Sequence, residues 1–126
     1  MVRRFATMVL AVALGAVALM GCGSDGGGAY VAPTGPPGKV LQIAATNFAF
    51  APDTLSAPAG IIQFDLKGGN GLHTFVIEGQ PGFQLEVSGD GATDSGKIKL
   101  DAGKYTFYCD IPGHRSQGME GTLTVT

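Results

Sequence analysis

Two cysteines and two histidines are all that this 126-residue chain contains. Iron–sulfur clusters need several thiolates and are excluded, as are multinuclear enzyme centres built from many histidines. Basic residues are scarce, with Lys and Arg totalling 8 against 10 Asp and Glu. They form no basic patch, so nucleic acid is excluded as a partner. No stretch beyond residue 38 keeps a helical period, which argues against a helical fold. The longest apolar run, Met8 to Met20, has 13 residues, too few for a comfortable membrane span.

That run has another reading. Arg3 and Arg4 precede it, and Leu19-Met20-Gly21-Cys22 closes it in a pattern that resembles the bacterial lipobox. Residues 1–22 are therefore expected to be a lipoprotein signal peptide, with Cys22 lipidated as the mature N-terminus. The chain is then exported and lipid-anchored to the outer face of a bacterial membrane. The Arg3-Arg4-Phe5 start is a weak match to the twin-arginine signal. Plain secretion with Cys22 paired to Cys109 is the competing account; it is disfavoured, because the lipobox placement explains Cys22 without Cys109.

Residues 23–38 hold six glycines and three prolines in 16 positions and are expected to form a flexible tether without a binding role. What remains, 39–126, is 88 residues, enough for one small domain. Without Arg3 and Arg4, the processed chain carries 6 basic against 10 acidic residues, a formal charge of −4.

In that domain, runs rich in Val, Ile, Thr, Phe and Tyr are broken by Gly, Pro, Asp and Asn about every eight to twelve residues, which predicts an all-β sandwich. Strands are expected at 40–46, 54–57, 61–67, 73–77, 96–100, 103–109 and 121–126, with a weaker one near 83–87. Ile62, Phe64 and Leu66 alternate with Gln63, Asp65 and Lys67, so the first three should face the core. Leu123 and Val125 should do the same, and Phe48 and Phe50 are expected to fill one side of that core. A Greek-key connection is the natural way to bury these strands.

Chemistry concentrates near the C-terminus in Cys109-Asp-Ile-Pro-Gly-His114-Arg-Ser-Gln-Gly-Met119. A thiolate, an imidazole and a thioether on one short loop suit copper better than calcium or magnesium. The other histidine, His73, begins a separate strand after a glycine-rich turn, from where it can reach the same end of the sandwich. Singly, each residue has an ordinary explanation: a buried small cysteine, a surface histidine, a core methionine. Jointly those explanations are the less probable account. Zinc is the rival metal, although zinc sites rarely use methionine and structural ones favour more cysteines.

Gly71-Leu-His73-Thr-Phe-Val-Ile-Glu78 and Tyr105-Thr-Phe-Tyr-Cys109-Asp-Ile-Pro-Gly-His114, continuing through Gly118-Met-Glu-Gly-Thr-Leu-Thr-Val125, resemble the cupredoxins. These are the small blue copper proteins of the plastocyanin, azurin and rusticyanin kind. Asn47-Phe-Ala-Phe-Ala-Pro52 is similar to an opening strand of bacterial members. The likeness implies one type-1 copper ion, with His73, Cys109 and His114 as equatorial ligands and Met119 as a long axial one. Two positions depart from the family pattern. Thr74 follows the first histidine where Asn is common, and Asp110 follows the cysteine where Ser or Thr is common. A Thr74–Asp110 hydrogen bond is expected to brace the two ligand segments instead.

The expected function is one-electron transfer between extracytoplasmic redox partner proteins, by a monomer without enzymatic activity. His114 is the expected electron gateway, ringed by Leu72, Ile111, Pro112 and Gly113. An extracytoplasmic copper carrier or chaperone is the alternative. A third reading is a lipid-tethered scaffold with an inert Cys109.

Overall fold

In a computed structural model, residues 29–126 are described; the expected signal peptide, Cys22 and the first part of the tether lie outside them. Nine strands follow in order: β1 (Lys39–Thr46), β2 (Ala49–Ala51), β3 (Thr54–Ala57), β4 (Gly60–Gly68), β5 (Leu72–Ile77), β6 (Gln84–Ser88), β7 (Thr93–Leu100), β8 (Gly103–Tyr108) and β9 (Glu120–Val125). One short 3-10 turn, Arg115–Gln117, sits between β8 and β9.

The strands form two sheets, ordered β2-β1-β4-β7 and β3-β9-β8-β5-β6. Each sheet mixes directions: β1 runs parallel to β4 and β3 parallel to β9, while the other pairs are antiparallel. Strand alternation explains the burial. Ile62, Phe64 and Leu66 are buried while Lys67 is exposed, and Ile98 and Leu100 point inward between exposed or half-buried lysines. Leu123 and Val125 are buried as expected. Phe50, Phe64, Phe75, Phe83 and Phe107 stack through the middle, with neighbouring centroids 5.0–6.5 Å apart. Burying each ring completely stabilises the fold by about 1.5–3 kcal/mol.

The structure departs from the sequence-based expectation in four places. β7 starts at Thr93 rather than 96, because Thr93, Asp94 and Ser95 continue the ladder against Lys67, Leu66 and Asp65. The three-residue β2 was not foreseen. Phe48 does not share Phe50's place in the core: the turn before β2 leaves it half-buried at the end of the sandwich. Finally, the described end of the Gly/Pro-rich stretch lies against the domain. The Tyr30 hydroxyl donates to the Lys97 carbonyl at 2.7 Å, and its ring meets Phe83 edge-on at 5.4 Å. The Lys97 ammonium donates to the Gly35 carbonyl at 2.9 Å, and the Gly38 amide to the Ile61 carbonyl at 2.8 Å. Burial of Tyr30 raises its phenol pKa. Such a composition cannot build a core of its own, but a tyrosine, with an apolar ring and a donor at its tip, joins these backbone contacts in docking it on an existing surface.

Candidate metal centre

The site is built where β8 runs out of partners. β8 delivers Cys109 at its end, and the Cys109 amide donates to the Met119 carbonyl at 3.1 Å, closing the base of the loop. Inside it, His114 donates its amide to the Ile111 carbonyl at 3.0 Å and accepts from the Gln117 and Met119 amides at 3.1 and 3.2 Å. Gly118 ends the 3-10 turn with φ 104°, a left-handed conformation that favours glycine. Those bonds hold His114 at mid-loop. On the neighbouring strand of the same sheet, Gly71 takes φ +89° immediately before β5, and His73 enters fully buried.

The two segments converge. One nitrogen from each of His73 and His114 and the sulfur of Cys109 all lie within 4.8 Å of one another. The Cys109 Sγ stands 3.4 Å from His114 Nδ1, and the two imidazole centroids are 5.4 Å apart. Three donors placed about 2.0–2.3 Å from one late first-row ion would be roughly 3.5–4 Å from each other, so only small adjustments separate this cluster from a trigonal set. Met119 is completely buried directly after the loop.

The hydrogen bonding of His73 tests the fit independently. Its Nε2 lies 2.8 Å from the Asn70 carbonyl oxygen. A carbonyl only accepts, so Nε2 carries the proton and Nδ1 presents a lone pair. That Nδ1 is buried without any hydrogen-bond partner among the described residues. A buried unpaired nitrogen is costly, and a metal ion is what an acceptor held this way satisfies; the backbone carbonyl on the other nitrogen is a usual support for a ligating imidazole.

The expected brace between the ligand segments is present. Thr74 donates its hydroxyl to Asp110 Oδ1 at 2.6 Å and accepts the Asp110 amide at 3.0 Å. The hydroxyl also stands 3.5 Å from Cys109 Sγ. Its single proton goes to the much closer carboxylate, so the sulfur receives the Thr74 backbone N–H instead, at 3.4 Å. Such bonds to the cysteine sulfur tune a copper site. Thr74→Val strips the Asp110 amide of its partner and should cost about 1–3 kcal/mol in urea unfolding of the metal-free protein. An unchanged midpoint would mean that the brace carries no weight.

Sequence reasoning missed two neighbours. Phe48 meets the His114 ring edge-on at 5.0 Å, a contact that depends on the turn before β2. Arg115 reaches Glu120 at 2.9 Å and Glu78 at 3.1 Å, with its guanidinium 4.1 Å over the Tyr108 ring. The hydrogen bond to Glu120, then that to Glu78, raises its pKa further above the ordinary arginine value.

A thiol and two imidazoles gathered at the end of a two-sheet sandwich, with a buried methionine directly after their loop, form a site that suits one copper ion. Comparison with known families agrees: the chain belongs to the copper binding proteins of the plastocyanin/azurin family, whose profile matches residues 39–126. Among solved structures, auracyanin B superposes with a TM-score of 0.66 at 24% identity, covering 80% of this chain and 96% of that one. Dithionite-reduced auracyanin from the photosynthetic bacterium Roseiflexus castenholzii gives 0.58 at 19%, covering 73% and 99%. Auracyanin A, a blue copper protein of the green thermophilic photosynthetic bacterium Chloroflexus aurantiacus, gives 0.61 at 17%, covering 71% and 100%. At these identities the likeness is one of fold. Comparison with curated proteins gives no match.

Proposed function

We propose that the protein is a blue copper electron carrier, with His73, Cys109 and His114 as equatorial ligands and Met119 as the axial one. Burial of the donors carries this reading over the copper-carrier alternative. His73, Cys109 and Met119 are each 0% exposed and His114 is only half-buried, whereas a protein that hands its metal on needs ligands an acceptor can reach. Copper held by this set supplies a one-electron Cu(II)/Cu(I) couple. The surrounding residues do the rest. His73 is held by Asn70, the sulfur receives the Thr74 amide, and backbone bonds shape the loop, so the protein itself would present the donors to a bound copper.

His114 is the one donor residue with a surface-facing part, and on one side of it lie the uncharged residues Leu72, Ile111, Pro112 and Gly113. Leu72 is 45% exposed, and Ile111, Pro112 and Gly113 lie on the same loop. We read this end as the contact face for redox partner proteins, where small transient interfaces are usual. Optical titration of the soluble domain with Cu(II) tests the function. Intense thiolate-to-copper absorption with reversible reduction is expected, whereas colourless, readily exchanged copper would favour the carrier and no binding the scaffold. Met119→Gln should keep copper and shift the reduction potential; loss of binding would overturn the axial assignment.

We further propose that the chain is exported and held at the outer face of a bacterial membrane by a lipid on Cys22. Eight residue steps separate Cys22 from the docked Tyr30, a reach of at most about 28 Å, against roughly 60 Å were the chain undocked as far as Lys39. Tyr30 meets the sandwich at Lys97, which pairs with Gln63 in mid-β4. The metal end lies beyond Gly68, so the docked tyrosine sits away from it. Cys22→Ala should move the protein from the detergent phase to the aqueous phase in cloud-point partitioning; unchanged partitioning would refute the anchor.

A further inference from the structure

Apart from His114 Nδ1 against Cys109 Sγ, every polar side-chain contact from residues 111–118 to the framework beneath, among the described residues, is made by Arg115. Ser116 and Gln117 bond only to Gly113 within the loop. The loop's backbone bonds give it an internal shape, and the Cys109–Met119 bond closes its base, yet neither fixes how its outer half lies against the sheet. Beside the apolar contacts of Ile111 and Phe48, the guanidinium supplies the polar tie. It follows His114 directly, stacks on Tyr108, and splits its donors between Glu78, the residue after β5, and Glu120, the first residue of β9. One anchor follows β5 and the other opens β9, the strands on either side of β8. Planarity matters here, because a guanidinium can stack and donate in two directions at once, which an ammonium cannot.

We propose that Arg115 is a positioning residue for the metal centre, a clasp that holds the loop against β5, β8 and β9 so that His114 stays at ligand distance from Cys109 and His73. The inference rests on His114 being a ligand, as proposed above. Exposed ion pairs contribute little to global stability; the role of this one is to restrict a single loop. The clasp is also close enough to the site to act simply as a charge, and the two roles predict different signs. Removing the cation (Arg115→Met) and removing both anions (Glu78→Ala with Glu120→Ala) change local charge in opposite directions, but each opens the clasp.

The test measures the rate at which reduced, copper-loaded protein loses metal to a cuprous chelator, together with amide exchange at His114, Gln117 and Met119 in the metal-free protein. Both variants should release copper faster by about tenfold, the low end of what supporting contacts usually contribute, and both should exchange those amides faster. Arg115→Lys, which keeps the charge but loses the fork, should fall between them and the parent in release while retaining a near-parental reduction potential. Opposite shifts in release for the cation and anion variants would replace the clasp with a charge effect. Unchanged exchange in the metal-free loop would overturn the proposal outright. If the parent protein took up no copper, the ligand reading would fall, and the clasp's metal role with it, whatever the exchange data showed.

Discussion

Cys109→Ser should abolish the intense visible absorption of the copper-loaded protein and leave the metal-free fold nearly as stable as before. The absorption requires a thiolate donating charge to the metal, and a serine hydroxyl, a harder and far less acidic donor, cannot supply it. The fold is insulated because Cys109 sits at the end of β8 and not in the aromatic centre. Its Sγ receives the Thr74 amide, and a serine oxygen can accept the same bond. A change of about 1 kcal/mol is therefore expected in thermal unfolding of the metal-free protein, typical of a single near-isosteric replacement. Optical titration and thermal melts on the same sample check both halves. A variant that still turned blue would eliminate Cys109 as the ligand.

Phe107→Ala should have the opposite profile, with a large loss of stability and no direct loss of a ligand. Phe107 is fully buried, 5.1 Å from the Phe75 centroid and 5.5 Å from that of Phe50. Across the ladder it pairs with Gly121, and a Cβ built on Gly121 would collide with the Phe107 ring and the Asp53 carbonyl. The ring thus occupies space that the partner strand leaves open, and the surrounding sheets cannot collapse to refill it. Such a deletion costs about 3–5 kcal/mol, against roughly 5–15 kcal/mol for a whole domain. Denaturant unfolding of the metal-free variant measures the loss. Copper should recover part of it, because a ligand that binds only the native state stabilises that state. A loss below 1 kcal/mol would mean that the core repacks, contrary to the geometry at Gly121.

The donor atoms were legible because they are chemically rare in this chain. With two histidines, one cysteine inside the domain and one methionine after it, few combinations were open, and a hairpin loop brings Cys109, His114 and Met119 close by chain connectivity alone. The core was legible for a different reason: a strand has a period of two, so Ile62, Phe64 and Leu66 declare their face without knowledge of their neighbours. β2 and the first residues of β7 were not, since short or polar strands are defined by the ladder they join rather than by their composition. Tyr30 was misjudged because the glycines and prolines around it describe the segment's flexibility in isolation and say nothing of the surface it lands on.

By itself, then, the sequence determined an all-β domain, the candidate donors and the metal class, each through local periodicity, connectivity or the chemistry of a side chain. Tertiary structure alone decided that His73 Nδ1 would be buried and unpaired, that the Thr74 amide rather than its hydroxyl would serve the sulfur, and that Phe48 would abut His114. It also decided that Arg115 would reach two strands at once. Each of these depends on which residues from distant segments come to lie opposite one another, and strand order and register set that.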